Sequence, residues 1–133
     1  MNTTNIVTCF LTHGGKYLIL KRSDRVKSMR NVWAGISGII EGGEDPLYRA
    51  KTEILEEAGV TEERIKLLKT GPEMRVESQY ANHEWLIYPF LFSLDRPSIA
   101  LNWENNDYAW IAPPELPSYQ TVPSLSRVLA SLL

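Results

Sequence analysis

The feature that most restricts the fold is an amphipathic helix signal that begins at Asp45-Pro46 and ends at Gly59. Aspartate is a good N-cap, and proline already has the backbone conformation of the first helical turn. Glycine is typical of the left-handed position that follows a helix. Between these limits, apolar residues recur at helical spacing, at Leu47, Ala50, Ile54 and Ala58. The pattern predicts a helix that packs one apolar side against the rest of the protein.

Segments rich in strand-forming residues lie on both sides of this helix. Residues 6–21, interrupted by Gly14-Gly15, predict a β-hairpin, and the glycine-containing segment 32–40 is predicted to be extended. Later strands are predicted at 65–68, 74–78, 85–92 and 108–111, with Pro89 at an edge or a bulge. A second helix is predicted at 122–132. This order favours an α/β (α+β) fold, in which helices cover the faces of a mixed sheet.

Composition limits the domain organisation and the classes of partner. The 133 residues suit a single domain, 1–133. A net charge of -2 lacks the basic excess of proteins that bind long nucleic acids, so no such partner is expected. No apolar run approaches the roughly 20 residues of a membrane span, and no signal peptide is recognisable. We interpret the one cysteine, Cys9, as a buried small hydrophobe and expect a cytoplasmic location.

Three glutamates of the predicted helix form a cluster. Glu53, Glu56 and Glu57 are spaced i, i+3 and i+4, so their side chains are neighbours, and we place them opposite the apolar side. Clustered carboxylates repel one another unless a cation compensates them. Oxygen-rich sites of this kind suit Mg²⁺ or Mn²⁺. The helix taken alone favours the simpler interpretation, an acidic face in contact with solvent.

The loop before the helix shifts the balance towards a metal site. It carries two more acids, Glu41 and Glu44, and three glycines, at positions 38, 42 and 43. Glycine lets a backbone turn tightly and approach a ligand closely. Acidic groups from the loop and from the helix are therefore expected to converge.

The segment 38–60 resembles the Nudix box, whose pattern is Gly, five residues, Glu, seven residues, and Arg-Glu-apolar-any-Glu-Glu-any-Gly-apolar. Gly38 is followed by five residues and Glu44, and the rest of the pattern runs from position 52 to Val60. Of the nine specified positions, eight agree, and the departure is Thr52 in place of arginine. The resemblance implies the Nudix fold, an α/β/α sandwich around a mixed sheet. It also implies a pyrophosphohydrolase that uses Mg²⁺ or Mn²⁺.

The resemblance further implies roles for individual residues. Glu53, Glu56 and Glu57 would bind the metal, the Gly38 carbonyl would add a ligand, and Glu44 would orient these carboxylates or join the site. The general base would be Glu53 or Glu104, between which the sequence does not choose.

Thr52 cannot supply the positive charge with which the family's arginine holds the glutamates. Arg49 lies one helical turn before Glu53, where i and i+4 side chains meet, so we expect it to substitute in part.

The first choice of substrate is a nucleoside triphosphate, cleaved to the monophosphate and pyrophosphate. The alternatives are a nucleoside diphosphate linked to another moiety, such as ADP-ribose or a nucleotide sugar, and a non-catalytic nucleotide-binding module, which Thr52 alone favours. Dimers are common in the family, so a homodimer stays open.

Some residues outside the box allow both a ligand-binding and a structural interpretation. Tyr80 and Trp85 flank a predicted turn and could face a ligand, and Trp33 is interpreted as core. A basic stretch either contacts solvent or attracts a polyphosphate, and comprises Lys21, Arg22, Arg25, Lys27 and Arg30.

Overall fold

A mixed β-sheet forms the centre of the structure, a computed structural model that describes residues 1–78 and 82–133. Tyr80 therefore lies outside the described residues. The strands are β1 (Asn2–His13), β2 (Lys16–Arg22), β3 (Trp33–Ala34), β4 (Ile36–Ile39), β5 (Ile65–Thr70), β6 (Met74–Glu77), β7 (His83–Leu94) and β8 (Asn105–Ile111). The helices are α1 (Pro46–Ala58) and α2 (Leu125–Ser131), and 3-10 turns cover Glu62–Arg64 and Pro113–Ser118.

The sheet is built around the parallel pair of β1 and β7. The hydrogen-bonded order is β3-β2-β1-β7-β5, and β4, β6 and β8 pair with β1, β7 and β2. The other pairs of these named strands are antiparallel, so the sheet is mixed, as predicted. β4 pairs with β1 and leads into the loop before α1. The sheet therefore holds this loop at the N-terminal end of the helix.

Alternating side chains of β1 face two different cores. Cys9 packs on one face of the sheet with Ala50 and Ile54 of α1. Phe10 packs on the other face with Leu129 of α2. The two helices cover opposite faces of the sheet, which confirms the predicted α/β/α sandwich. Cys9 is a buried free thiol, in agreement with its interpretation as a small hydrophobe.

Helix α1 begins and ends where the sequence predicts. The Asp45 side chain accepts a hydrogen bond from the Leu47 N–H (3.0 Å), and Pro46 is the first helical residue. Gly59 has φ 64° and ψ 27°, the left-handed conformation that glycine adopts without strain. Its N–H reaches the Leu55 carbonyl at 3.0 Å. The helix limits thus follow from short-range backbone chemistry.

Pro89 was wrongly predicted to mark an edge or a bulge. It lies in β7, which has β1 on one side and both β5 and β6 on the other. Pairing with β6 reaches Ile87, and pairing with β5 starts at Phe90. The Pro89 carbonyl accepts from the Gly71 N–H on that side. Proline is tolerated because its missing N–H would point into the gap between β5 and β6.

The second helix is shorter than predicted, and α2 starts only at Leu125. Ser124 has a positive φ of 67°, and Pro123 precedes it, so the chain cannot be helical there. The predicted apolar side is nevertheless buried, with Val128 and Leu129 in the second core. In the part of the chain that the structure describes, no helix is long and apolar enough to cross a membrane.

Candidate active site

The site lies where α1 packs against β4. The backbone of Gly38, in β4, runs directly beside the Glu53 side chain of α1. A Cβ atom placed at Gly38 would lie 2.3 Å from Glu53 Cδ and 2.6 Å from its Oε2. Both distances are far inside van der Waals contact, which for carbon atoms is about 3.5 to 4.0 Å. Only glycine at position 38 lets this carboxylate lie against the strand.

The three helix glutamates do not share one environment. Glu57 is 3% exposed and Glu53 is 7% exposed, whereas Glu56 is exposed to solvent. The prediction that all three lie opposite the apolar side was wrong for Glu53 and Glu57. At about 100° per residue, Glu57 is next to Ala50, so a helix that buries Ala50 also buries this carboxylate.

Glu57 is the most unusual ionisable group of the site. Its Oε1 accepts a hydrogen bond from Asn105 Nδ2 (3.1 Å), whereas its Oε2 is buried without a hydrogen-bond partner in the described part of the chain. Burial raises the pKa of Glu57 well above its ordinary value, and the negative charges of Glu104 and Glu53 raise it further. A buried carboxylate in this position calls for a proton or a cation.

Asn105 is a site residue that sequence reasoning missed. It begins β8 and lies 48 positions from Glu57 along the chain. The sequence points to Asn105 only through its position directly after Glu104, a candidate general base. Tertiary pairing of β8 with β2 brings it under the helix.

Glu53 is held by an arginine. Arg49 Nη1 donates to Glu53 Oε2 at 3.0 Å, and both side chains are largely buried. This contact confirms the predicted i to i+4 pair. Burial raises the pKa of Glu53, the hydrogen bond from Arg49 opposes that rise, and the charge of Glu56 adds to it.

Glu44 binds the same arginine from the loop side. Arg49 Nε and Nη2 donate to Glu44 Oε1 (3.0 Å) and Oε2 (2.6 Å), a two-bond fork. Glu44 Oε1 also accepts from the Glu41 N–H at 2.7 Å. The hydrogen bond from Arg49 is the main cause of the lowered pKa of Glu44. Of the two predicted roles of Glu44, this geometry supports orienting the helix carboxylates.

Glu104 reaches the site because hydrogen bonds join its loop to the loop that follows β2. Its carbonyl accepts from the Ser23 N–H (2.8 Å), and the Ser23 hydroxyl donates to the Trp103 carbonyl (2.8 Å). Asn102 Oδ1 accepts from the Glu104 N–H at 3.0 Å. The Glu104 side chain is half-buried and lines a groove beside α1.

A groove of about 930 Å³ connects the carboxylates with an apolar region. Its acidic part is formed by Glu53, Glu56 and Glu104, with Gly38 beside them. Its apolar part includes side chains of β6, β7 and α2, among them Val76, Trp85, Ile87, Leu125 and Val128. Apart from Trp85, this wall was missed by sequence reasoning, because its members are far apart along the chain and each resembles ordinary core.

Members of the basic stretch have different surroundings. Arg22 donates to the carbonyls of Ser28 and Met29, and so folds its own loop. Arg25 lies over the Trp103 ring at 5.9 Å. Lys27 is exposed and lines the groove, which places a positive charge on the same groove as the carboxylates.

Trp33 packs against Tyr119 in an edge-to-face contact (ring centroids 5.1 Å apart) beside the second core, as its interpretation as core requires.

The residues present suit a divalent cation. Within residues 1–78 and 82–133, no three histidine, cysteine, aspartate or glutamate side chains are already grouped as a metal-binding cluster. However, Glu57 Oε2 is buried with no hydrogen-bond partner among the described residues, and Glu53 lies beside the Gly38 backbone. A hard cation satisfies buried carboxylate oxygens of this kind. The assignment of Mg²⁺ or Mn²⁺ to these groups stays a prediction.

Comparison with known proteins gives agreement along almost the whole chain. A family model described as NUDIX domain matches residues 2–132. The nucleoside triphosphatase NudI of Salmonella newport (strain SL254) is 30% identical over 139 residues, which cover 98% of this chain and 96% of that protein.

Solved structures have the same fold. The MutT NUDIX hydrolase from Burkholderia pseudomallei has a TM-score of 0.79 at 15% identity, with 100% of both chains covered. The NUDIX domain of Shewanella oneidensis NrtR, complexed with ADP ribose, has a TM-score of 0.71 at 15% identity. That match covers 98% of this chain and 85% of the other. At such low identity, these structures show the fold alone.

Proposed function

The chain belongs to the NUDIX domain family and is a Nudix-type pyrophosphohydrolase, and we propose that it cleaves a nucleoside triphosphate with the help of Mg²⁺ or Mn²⁺. The products would be the monophosphate and pyrophosphate. The observation that carries the proposal is the groove, in which an apolar wall and the carboxylates of Glu53, Glu56 and Glu104 face one space. The whole-length relative named a nucleoside triphosphatase supports this substrate class.

Four groups of the chain would hold the cation: the carboxylates of Glu53, Glu56 and Glu57 and the carbonyl of Gly38. Bound there, a divalent ion neutralises a diphosphate and lowers the pKa of water. Glu57 contributes an oxygen that has no other partner in the described residues. Asn105 holds the second oxygen of that carboxylate and so fixes its orientation.

The two parts of the groove would bind different parts of the substrate. The apolar wall, with Trp85 and Ile87, offers a surface for a base. Lys27, at the groove and exposed, attracts the negative phosphates. The net charge of -2 does not oppose such a ligand, because a cation supplies the compensating charge locally.

For the general base, the geometry supports Glu104 over Glu53. The Glu53 carboxylate is engaged by Arg49 and packed against Gly38, which limits its approach to a water molecule. Glu104 faces the groove, and among residues 1–78 and 82–133 its carboxylate has one long hydrogen-bond contact, 3.5 Å from Asn102 Nδ2. Glu104 is therefore free to accept a proton.

A hydrolysis screen tests the proposal. Nucleoside triphosphates, ADP-ribose, nucleotide sugars and dinucleoside polyphosphates are each incubated with Mg²⁺ or Mn²⁺, and the products are separated by chromatography. We expect turnover of triphosphates to monophosphate and pyrophosphate, lost in Glu57→Gln and kept in Glu73→Gln, the same change at an exposed position. A Glu104→Gln variant that keeps full turnover would overturn its role as base.

Other outcomes of the same screen separate the alternatives. Turnover of ADP-ribose in preference to triphosphates would change the proposed substrate class. ADP-ribose is included because the NrtR domain was solved as a complex with ADP ribose. Tight nucleotide binding without turnover would identify a non-catalytic module. The ion pair of Arg49 with Glu53 counts against that module, because it supplies the charge that Thr52 lacks.

A further inference from the structure

Thr52 does not hold a glutamate of the site in this structure. Its hydroxyl donates to the Tyr48 carbonyl of the same helix at 3.0 Å. The residue lines a shallow depression on the outer side of α1, together with Tyr48 and Leu55. The box position that carries arginine in the family pattern therefore turns towards the helix backbone and the protein surface.

Arg49 occupies the gap between the loop and the helix instead. All three guanidinium nitrogens donate: Nε and Nη2 to Glu44, and Nη1 to Glu53. The Arg49 side chain is 16% exposed, and those of Glu44 and Glu53 are 19% and 10% exposed. A planar guanidinium with fixed donor directions transmits orientation from one carboxylate to the other.

Backbone groups of the loop before α1 hold Glu44 in place. Glu44 accepts from the Glu41 N–H at 2.7 Å, and the Glu44 N–H donates to the Glu41 carbonyl at 3.0 Å. The turn fixes Glu44, Glu44 fixes the rotation of Arg49, and Arg49 fixes the direction of Glu53 Oε2. On the other side, the Gly38 backbone prevents Glu53 from moving away.

We propose that Arg49 is a positioning residue. It lies about one helical turn before Thr52 and replaces the arginine that the family pattern has at position 52. It sets the orientation of the Glu53 carboxylate for the cation. The inference rests on the proposed function, because it requires Glu53 to hold a metal. It assigns Glu44 to the anchoring of Arg49, outside the set of metal ligands.

The test measures Mn²⁺ affinity by electron paramagnetic resonance, without nucleotide, in Arg49→Met. Loss of a group that orients a ligand lowers metal affinity by about 10- to 100-fold, and we expect a loss within this range. Arg49→Lys should recover only part of it, because lysine keeps the charge but lacks the fork. Thr52→Arg added to Arg49→Met should restore part of the affinity, because it returns an arginine to the position that holds the glutamates in the family pattern.

Arg64→Met is the matched control. Arg64 is 15% exposed, forms an ion pair with Asp95 at 3.0 Å, and lies in the turn after α1. Its loss removes an equally buried arginine and should leave Mn²⁺ affinity unchanged. An equal loss in Arg64→Met would show a general effect on stability and overturn the inference, as would wild-type affinity in Arg49→Met.

Two further results keep the inference apart from the proposed function. Glu57→Gln should abolish Mn²⁺ binding whatever Arg49 does, and wild-type Mn²⁺ affinity in Glu57→Gln would overturn the proposed metal site itself. An affinity that falls in Arg49→Met and is not restored in part by Thr52→Arg would overturn the replacement of one arginine by the other. Unchanged Mn²⁺ affinity with a raised KM for nucleotide would instead assign Arg49 to direct phosphate binding.

Discussion

Replacing Gly38 by alanine perturbs the closest contact of the site. The new Cβ would lie 2.3 Å from Glu53 Cδ, and ordinary carbon contacts start at about 3.5 Å, so the carboxyl group must withdraw by about an ångström. A misplacement of this size costs about 100-fold in rate, or about 2.7 kcal/mol in transition-state stabilisation. We expect kcat/KM to fall by that factor and Mn²⁺ affinity to fall with it.

The fold should tolerate this change. The atoms in the way belong to the end of a flexible side chain, and α1 keeps its other contacts with the sheet. We therefore expect the free energy of unfolding, measured by urea denaturation, to fall by about 0.5 to 1.5 kcal/mol, the cost of pushing one side chain off its preferred rotamer. A loss of activity that came with general unfolding would leave the geometric explanation without support.

Gly42→Ala is the control for this experiment. It makes the same chemical change four residues later, where a Cβ would meet no heavy atom of the described chain within 4 Å. Its kcat/KM and Mn²⁺ affinity should equal those of the wild type. If Gly38→Ala behaves as Gly42→Ala does, the argument that Glu53 must lie against β4 is refuted.

Two other predictions concern pH and charge. Burial raises the pKa of Glu57, so the metal-free folded protein keeps a proton that the unfolded chain releases above about pH 4.3. Its free energy of unfolding should therefore fall as pH rises from there to the folded pKa, by up to about 1.4 kcal/mol per pH unit. Glu57→Gln should flatten this slope in urea denaturation with chelator between pH 5 and 8, and equal slopes would contradict the assignment. Lys27→Ala should raise the KM for nucleotide about three- to tenfold at low salt and less at high salt, with kcat unchanged. The exposed Lys66→Ala on β5 serves as its control, and an equal effect there would remove Lys27 from the site.

Short-range patterns explain why α1 was predicted accurately. Asp45, Pro46 and Gly59 act through backbone groups within a few positions, so their effect is present in any tertiary context. The pairing of Arg49 with Glu53 was predictable for the same reason, since helix geometry alone brings i and i+4 side chains together.

Predictions failed where neighbours came from distant parts of the chain. Pro89 predicted an edge or a bulge, but it lies in an interior strand, where the gap between β5 and β6 removes the need for its N–H. The start of α2 was placed too early, because the apolar spacing does not reveal the left-handed backbone at Ser124.

The sequence by itself determined the chemistry of the site: the spacing of the glutamates, the glycine at 38 and the helix that carries them. Tertiary structure decided which carboxylates are buried and what surrounds them. Glu57 is unusual because Asn105 of β8 and Glu104 directly before it lie beside its carboxylate, and because α1 turns Glu57 inward with Ala50. Spacing along a helix depends on local backbone geometry, whereas burial and electrostatic environment depend on contacts between segments that only the folded chain brings together.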